Sequence, residues 1–310
     1  MKKQFWQWMV RQAFLLLLGV FKRLPLRMAQ LWGASVGALG FYLSKRYRLV
    51  AARNLQWAYG ETLDARQRQA LVKRVFVNFG RATLGEFLKA PFLTPDALRQ
   101  LVYCDSYAPI DDLLARGKGL ILVTAHFGNW ELLARRAILE GFAVTVIARQ
   151  GDDARFNALT DWLRENGGYE VHARGASPRL LLQRLKQNKI VAILPDQKSD
   201  DVFVPFFGKL AGTVGGPAVL ALKTGAPIVP MFCPRLPNGT YQVVICPEIN
   251  TQPTGDAKAD TQRIMADINQ SIEDIVRRYP DQWLWLHDRW RLPPQEHPAY
   301  EAYRAATQQP

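Results

Sequence analysis

The chain has 310 residues, of which 48% are hydrophobic and 22% are charged, and its formal net charge is +13. This length suits one large α/β domain or two smaller ones, and the composition excludes an intrinsically disordered chain. The three cysteines lie far apart and form no Cys-x-x-Cys pair, so neither a disulfide framework nor a zinc cluster is expected. We expect a reducing, cytosolic setting.

The positive charge is concentrated at the amino terminus. No acidic residue precedes Glu61, whereas the first 60 residues contain ten lysines and arginines. A basic segment of this kind favours either anionic lipid or nucleic acid as a partner. The surrounding residues are apolar and do not form a soluble basic stripe with stacking aromatics, which argues against nucleic acid.

Two apolar stretches occupy this basic region, at residues 5–21 and 24–44. A helix that spans a bilayer needs about 20 apolar residues. The first stretch is too short for this, and the second is of borderline length. The pattern favours a helical hairpin that lies on or dips into one leaflet. A single uncleaved span and a pair of buried core helices are the alternatives. We assign residues 1–45 to membrane-anchoring helices and residues 46–310 to a second domain.

A literal match to the nucleophile motif G-x-S-x-G occurs at residues 33–37. The nucleophile of that motif requires a preceding strand and a following helix. Here the match lies inside an apolar helical pattern, so we interpret it as a coincidence.

Beyond a long amphipathic helix predicted at residues 63–90, helices alternate with strands. The further helices are predicted at 106–116, 129–140, 153–166, 178–188, 216–224 and 256–279, and the strands at 119–125, 143–148, 169–172, 190–194, 227–232 and 241–246. This alternation predicts an α/β fold with a mostly parallel central sheet covered by helices on both faces. The apolar, glycine-rich segment 202–216 is expected to be a wall or mobile lid against an acyl chain, or a cover of the sheet.

The first candidate for chemistry is His126, which directly follows the predicted strand 119–125. Chemistry in open α/β sheets collects at the carboxyl ends of the strands. Asn129 is the predicted helix N-cap, and Glu131 lies in the first helical turn. We interpret His126 as a general base and Glu131 as the carboxylate that orients its imidazole. The alternative is a histidine satisfied in a turn and a glutamate favoured by the helix dipole.

Other polar residues are expected near the same edge of the sheet. Asp196 follows strand 190–194 and could orient a substrate or a basic side chain, although an aspartate after proline is also typical of a turn. Several arginines between the strands could hold an anionic substrate, while most of them are expected on solvated helix faces. They are Arg149, Arg155, Arg164, Arg174 and Arg179. His287 and Arg289 lie in a tryptophan-rich segment that is otherwise typical of a core.

Five of these sequence features, taken in order, resemble one family. The segment His-Phe-Gly-Asn-Trp-Glu at 126–131 resembles the H-x4-[DE] signature of glycerolipid-type acyltransferases, in the form found in bacterial lipid A biosynthesis (lauroyl/myristoyl) acyltransferases. The remaining matches are Pro195-Asp196-Gln197, the VPFFG segment at 204–208, Thr213 with Gly216-Pro217-Ala218, and Trp285-x-His287-x-Arg289. The resemblance covers roughly residues 5–295.

The resemblance implies transfer of an acyl chain from acyl-carrier protein to a hydroxyl group of a phosphorylated glycolipid, a lipid A precursor. It places this reaction at the cytoplasmic face of the inner membrane, with membrane lipids as further partners, no nucleic acid and no cofactor or metal. By motif, His126 is the base and Glu131 its orienting partner. The candidate substrate-binding residues are Arg149, Asp196, Asn129, Gln197 and Arg155.

The mechanism expected is direct acyl transfer, since no positioned serine or cysteine nucleophile is evident. Backbone N–H groups at 128–131 are the candidates for stabilising the negative charge that develops on the carbonyl oxygen. The Gly-Asn-Trp within the signature is shared with family members that act on other lipids. Alternative acceptors are therefore a phosphatidylinositol mannoside, a glycerophospholipid or an ornithine lipid, and acyl-CoA is an alternative donor. A non-catalytic membrane scaffold of the same fold is a further hypothesis.

Overall fold

The computed structural model of the protein describes residues 2–148, 154–173, 178–293, 295, 300–301 and 304. The α-helices are α1 (Lys2–Arg23), α2 (Leu26–Leu43), α3 (Lys45–Tyr59), α4 (Ala65–Gly80), α5 (Phe87–Lys89), α6 (Pro95–Leu101), α7 (Ala108–Leu114), α8 (Trp130–Leu139), α9 (Ala154–Glu165), α10 (Pro178–Lys186), α11 (Gly216–Thr224) and α12 (Ala257–Arg278). The strands are β1 (Val102–Tyr103), β2 (Leu120–Val123), β3 (Val144–Ala148), β4 (Glu170–Ala173), β5 (Ile190–Ile193), β6 (Val202–Phe206), β7 (Lys209–Thr213), β8 (Ile228–Phe232), β9 (Tyr241–Gln242) and β10 (Val244–Ile245). A π-helical segment, Arg81–Glu86, joins α4 to α5.

The central sheet has six strands in the order β10-β8-β2-β5-β3-β4. All neighbours in it are parallel except β10, which pairs antiparallel with β8. Every residue of β2 and β5 is buried, as their continuous apolar runs predict for strands covered on both faces. The predicted mostly parallel sheet is confirmed, with most predicted elements within a few residues of the observed ones.

Alternate residues of β2 enter two different cores. Ile121 and Val123 pack in one apolar cluster with α11 and α12, whereas Leu120 and Leu122 pack in another with α7 and α8. This alternation follows from the two-residue period of a strand. The sheet is therefore covered by helices on both faces, and its carboxyl-terminal edge stays open for polar loops.

Residues 202–213 form an antiparallel hairpin of β6 and β7. Its turn uses left-handed backbone at Phe207 (φ 52°) and Gly208 (φ 70°). The Asn269 side-chain amide donates to the Pro205 carbonyl at 3.0 Å, and Arg289 donates to the Thr213 hydroxyl at 2.7 Å. The sequence predicts a wall, a mobile lid or a cover of the sheet for this apolar segment. The structure shows a hairpin that is bound to α12 and to the carboxyl-terminal aromatic cluster.

The two amino-terminal apolar stretches form helices α1 and α2. One face of α2 is buried against α4 and the π-helical segment at very short range. A Cβ atom built on Gly33 would lie 2.6 Å from the Gly80 carbonyl oxygen, and one on Gly37 would lie 2.2 Å from that of Phe76. The G-x-S-x-G match therefore serves close helix packing, and its interpretation as a coincidence is confirmed.

Within the described ranges, no helix combines the length and the hydropathy that crossing a membrane requires. The membrane-anchoring role expected for residues 1–45 is therefore not supported by the structure. The physical reason lies in α2, whose small and apolar residues at four-residue spacing face α4. Sequence reasoning also missed α3 and α6, and the division of the chain at residue 45 stays a prediction.

Candidate active site

His126 lies in the turn between β2 and α8, at the carboxyl edge of the sheet as predicted. The turn is held by two backbone hydrogen bonds to the distant segment 282–284. Leu284 N–H donates to the His126 carbonyl at 3.0 Å, and Gly128 N–H donates to the Gln282 carbonyl at 2.9 Å. Gly128 has φ of 57°, and a Cβ atom there would lie 2.1 Å from the Cys233 carbonyl oxygen. Only glycine fits this position, which explains the glycine inside the His126–Glu131 signature.

The imidazole of His126 is paired with Asp196, which follows β5, the neighbour of β2 in the sheet. His126 Nδ1 lies 2.8 Å from Asp196 Oδ1, and the His126 backbone N–H donates to Oδ2 at 2.8 Å. The indole Nε1 of Trp283 also donates to Oδ2, at 2.9 Å. Three donors therefore converge on one carboxylate that is only 3% exposed.

The charge of this carboxylate is stabilised by its partner. Burial by itself raises the pKa of Asp196, but attraction to the protonated form of His126 and the hydrogen bonds of His126 and Trp283 bring the pKa below its usual value. An ionised carboxylate only accepts hydrogen bonds, so Nδ1 of His126 must carry the proton. Nε2 then presents its lone pair to the site. Gln197 Nε2 lies 3.4 Å from this atom.

Glu131 differs from its expected role. Its carboxylate accepts hydrogen bonds from Arg164 Nη2 at 2.6 Å and from Arg164 Nε at 3.1 Å, and a further one from the Tyr169 hydroxyl. These partners come from α9 and from the residue that precedes β4. The orienting contact predicted for Glu131 is therefore made by Asp196. The reason is geometric, since the first turn of α8 directs Glu131 toward α9.

Asn129 is the N-cap of α8, as predicted, and its carboxamide oxygen accepts from Leu132 N–H at 3.0 Å. Its amide group donates to Glu86 Oε2 at 2.7 Å. Glu86 also accepts from Gln30 at 2.7 Å and from the Tyr241 hydroxyl at 2.6 Å. Burial raises the pKa of Glu86 despite these three hydrogen bonds. The structure places Asn129 in this buried network, away from the cavity walls where a substrate contact was expected.

Of the remaining predicted substrate-binding residues, two lie beside His126 and two cannot be placed among the described side chains. Arg149 lies outside the described residues, as does Arg174. Arg155 lies in α9, and its side chain is not among those that the structure describes. Gln197 and Asp196 are brought to His126, as the prediction of a second polar strand end implied. Arg164 is one of the arginines that the sequence offers for binding an anionic substrate. Its contact with Glu131 could not be inferred from the spacing of the two residues.

A cavity of about 490 Å³ opens beside His126. Its walls are mainly apolar side chains from the central strands and α8, namely Leu122, Leu133, Ala134, Ala137, Val144, Val146, Ile147, Ala192, Ile193 and Leu194. Polar groups are confined to His126, Gln197, His287, Thr124 and the cluster of Glu131, Arg164 and Tyr169. This volume is in the range of small-molecule sites, and the lining suits an apolar chain whose reacting end lies at the imidazole.

His287 and Arg289 both lie near this region. His287 Nε2 accepts a hydrogen bond from Lys198 N–H at 2.9 Å, and burial lowers the pKa of His287 to about 4. His287 is thus a neutral acceptor that fixes the loop carrying Asp196 and Gln197. Arg289 is fully buried against the β6–β7 hairpin, where it is structural. Trp283, which sequence reasoning assigned to core packing, is a site residue through Asp196.

The family model of bacterial lipid A biosynthesis acyltransferases matches residues 2–292. The chain belongs to that family. It is 28% identical over 287 residues to the lipid A biosynthesis lauroyltransferase of Escherichia coli K12, covering 89% of this chain and 90% of the relative. It is 25% identical over 285 residues to the palmitoleoyltransferase of the same organism, covering 89% of each chain.

A different acceptor appears in the name of another relative. The chain is 29% identical over 188 residues to a phosphatidylinositol mannoside acyltransferase of Mycobacterium tuberculosis, covering 58% of this chain and 57% of the relative. The family match and the names of the relatives of similar length confirm the resemblance inferred from the sequence. The protein is an acyltransferase of the lipid A biosynthesis family.

Proposed function

We propose that the protein transfers a fatty acyl chain from acyl-carrier protein to a hydroxyl group of a lipid A precursor, with His126 as the general base. The observation that carries this proposal is the His126–Asp196 pair, whose imidazole lies on the wall of the apolar cavity. The cavity can hold the acyl chain of a thioester, and the imidazole can activate a hydroxyl group beside the thioester carbon.

The proposed reaction is a single displacement at the thioester carbonyl. The acceptor hydroxyl gives its proton to His126 Nε2, and its oxygen forms a bond to the carbonyl carbon. The carbon–sulfur bond then breaks, and the leaving thiolate takes the proton back from the imidazolium. The products are an ester and a free thiol, and no covalent enzyme intermediate is formed. Asp196 holds the imidazole in the required tautomer and stabilises its charged form.

The hydrogen bonds of the four candidate oxyanion donors, the backbone N–H groups at 128–131, show which of them are already occupied. Gly128 N–H and Asn129 N–H already donate to the carbonyls of Gln282 and Cys233. Among the described residues, no acceptor faces the N–H groups of Trp130 and Glu131 at the start of α8. The positive end of the helix dipole favours negative charge there. Trp130 and Glu131 are therefore our proposed donors to the tetrahedral intermediate.

Glu131 and Arg164 are proposed to shape the cavity that receives the donor. Their ion pair lies in an otherwise apolar wall, and the Tyr169 hydroxyl completes the hydrogen bonds of the carboxylate. In this proposal, Glu131 belongs to the family signature because its ion pair with Arg164 fixes α9, and no contact with the imidazole is required.

The acceptor and the donor each have an alternative. The similarity to a phosphatidylinositol mannoside acyltransferase supports another glycolipid as acceptor, although it covers a shorter part of the chain than the similarity to lipid A acyltransferases. Acyl-CoA is the alternative donor, because it presents the same thioester.

We further propose that the protein works at the cytoplasmic face of the inner membrane by lying on the bilayer surface. Large apolar side chains are exposed along the first three helices, and basic residues flank them. The exposed side chains include Leu15, Leu16, Val20, Met28, Leu31, Trp32, Leu39, Leu43, Tyr47 and Leu49. An interfacial surface of this kind combines apolar burial with attraction to anionic lipid of about 1 kcal/mol per basic residue.

The test is the activity of a His126→Ala variant with acyl-carrier-protein thioester and a lipid A precursor. We expect a loss of at least about a hundredfold in kcat, the range for general-base catalysis. His172→Ala is the matched control, because His172 lies on β4, with Nε2 2.9 Å from Glu170 Oε1, and is not among the residues that line either cavity. Near-normal turnover by His126→Ala would overturn the assignment. Parallel assays with acyl-CoA and phosphatidylinositol mannoside decide between the alternatives.

A further inference from the structure

A second, smaller cavity of about 20 Å³ lies beside His126, and its walls differ from those of the apolar one. The two cavities share His126 and Trp130. Its wall combines apolar side chains with polar ones, and the polar ones include Asn78, Arg235, Asp281 and Gln282. The imidazole thus lies between an apolar compartment and a polar one.

Arg235 is fixed in this polar compartment by the same segment that holds the His126 turn. Its backbone N–H donates to Gln282 Oε1 at 2.7 Å, and Gln282 Nε2 donates back to the Arg235 carbonyl at 2.8 Å. The Gln282 carbonyl in turn accepts from Gly128 N–H at 2.9 Å. The guanidinium group has no such partner. Its Nε is buried without a hydrogen bond, and no carboxylate in the described part of the chain lies within ion-pair distance of it.

Arg81 is connected to this cavity through Asn78, which lies on its wall, and no carboxylate among the described residues lies within ion-pair distance of Arg81. It is the first residue of the π-helical segment, a rare conformation that is frequent at functional sites. Its Nη1 donates to Asn78 Oδ1 at 2.6 Å. Burial, and after it the like charge of Arg235, lower the pKa of Arg81. Two half-buried guanidinium groups are therefore held near each other at a cost in repulsion.

The acidic groups nearby do not balance these two charges. Asp281 lies on the wall of this cavity, and it already faces Arg74 at 3.6 Å. Glu86 also attracts both arginines, but its carboxylate already accepts hydrogen bonds from Gln30, Asn129 and Tyr241. A compact anion would relieve the repulsion and supply the missing acceptor.

We propose that Arg81 and Arg235 form a subsite for a phosphate group of the reactant that meets His126 from the polar side. Guanidinium groups bind phosphate oxygens through paired, charge-assisted hydrogen bonds. The inference rests on the proposed acyl transfer. It adds that the enzyme selects its substrate by phosphate, carried either by the glycolipid acceptor or by the phosphopantetheine arm of the donor.

The test compares wild type with Arg81→Gln, Arg235→Gln and the double variant. Arg116→Gln is the matched control, because Arg116 pairs with Glu248 at 2.9 Å and precedes β2 at the opposite edge of the sheet. We measure kcat/KM for a phosphorylated acceptor and for the same acceptor after phosphatase treatment. We measure it also for the acyl-carrier-protein donor and for an acyl N-acetylcysteamine thioester, which lacks phosphate.

Each single variant is expected to lose about tenfold in kcat/KM for the phosphorylated reactant, as for a charged hydrogen bond. The corresponding reactant without phosphate should be unaffected. Loss confined to one pair of reactants identifies the acceptor or the donor as the source of the phosphate. An equal loss with and without phosphate in both pairs would overturn the subsite.

A binding measurement keeps this result separate from the acyl-transfer proposal. Sodium pyrophosphate at constant ionic strength should raise the unfolding temperature of wild type and of Arg116→Gln, and not that of the double variant. An unchanged shift in the double variant would overturn the subsite even if acyl transfer is established. If wild type transfers no acyl chain to any acceptor, the proposed function fails while the pyrophosphate result still decides the subsite.

Discussion

Asp196 and Glu86 are two buried carboxylates that hold the same turn, one at His126 and the other at Asn129. Asp196 is 3% exposed and binds His126, and Glu86 is 1% exposed and binds Asn129. Each accepts three hydrogen bonds from protein donors. By burial and by the number of hydrogen bonds, the two sites are nearly equivalent.

The pKa values of the two carboxylates are nevertheless shifted in opposite directions. The pKa of Asp196 is lowered against the effect of burial because an ionisable imidazole lies in contact with it. The pKa of Glu86 is raised by burial, which the hydrogen bonds from two carboxamides and a phenol do not offset. The charge of the partner therefore decides the direction in which the pKa of a carboxylate this deeply buried is shifted. Asp196 can therefore support proton transfer, whereas Glu86 acts as a brace of the turn.

The largest expected effect is that of Asp196→Asn on turnover. Two donors, His126 N–H and Trp283 Nε1, point at the Oδ2 position, so the asparagine oxygen should occupy it. The amide NH₂ then faces Nδ1 of His126 and forces the ring proton onto Nε2. The base is lost, and we expect kcat to fall by about 10³–10⁴ with little change in fold, as in a hydrolytic triad.

Steady-state kinetics with a saturating donor measures this loss. Trp283→Phe is the companion variant, since it removes one hydrogen bond to Asp196 and leaves the carboxylate charge in place. Its kcat should fall far less. If Asp196→Asn retained wild-type turnover, Asp196 would be a brace like Glu86 and the contrast would fail.

The second prediction concerns Glu86→Ala. This change leaves the donors of Gln30, Asn129 and Tyr241 buried without an acceptor. Unsatisfied buried donors cost roughly 1 to 3 kcal/mol each, so the free energy of unfolding should drop by about 3 kcal/mol after local relaxation. Chemical denaturation measures it. Tyr241→Phe removes one of these donors and leaves the carboxylate in place, so a loss as large as that of Glu86→Ala would contradict the brace.

The sequence predicted the location of this site better than the hydrogen-bond partners of its side chains. The rule that polar residues collect at carboxyl strand ends brought His126 and Asp196 together, because β2 and β5 are neighbours. Spacing could not tell which carboxylate meets the imidazole. That choice depends on the rotation of α8 and on Arg164, which draws Glu131 toward α9.

Glu86 was not predicted at all. It lies within a stretch whose pattern indicates an amphipathic helix, and its partner Tyr241 is 155 positions away in the chain. A π-helical segment has no simple sequence signal, and β1 and β9 are each only two residues long. Periodicity predicts the long, regular elements, whereas these short ones depend on tertiary contacts that a single sequence does not display.

The smallest expected effect is a difference in pH dependence. Glu86 and Asp196 should change the free energy of unfolding in different pH ranges and in opposite directions. The folded protein holds a proton on Glu86 at pH values above 4.5, the ordinary pKa of glutamate, where the unfolded chain has released it. The free energy of unfolding contributed by Glu86 therefore decreases as pH rises from about 4.5 to its raised folded pKa. Asp196 acts in the other direction and in another window, since its lowered pKa adds stability that is lost only as pH falls below 3.8.

Glu86→Gln tests this difference without emptying the site. Its oxygen can accept from Asn129 and Tyr241, and a flipped Gln30 carboxamide can accept from its NH₂ group. Because glutamine does not titrate, the stability of the variant relative to wild type should increase with pH across the Glu86 window, by at most about 1.4 kcal/mol per pH unit. Urea unfolding at a series of pH values from 4.5 upward measures the slope. A relative stability that stays constant over that range would mean that Glu86 is ionised in the fold like Asp196, and that a charged partner is not required for ionisation in this core.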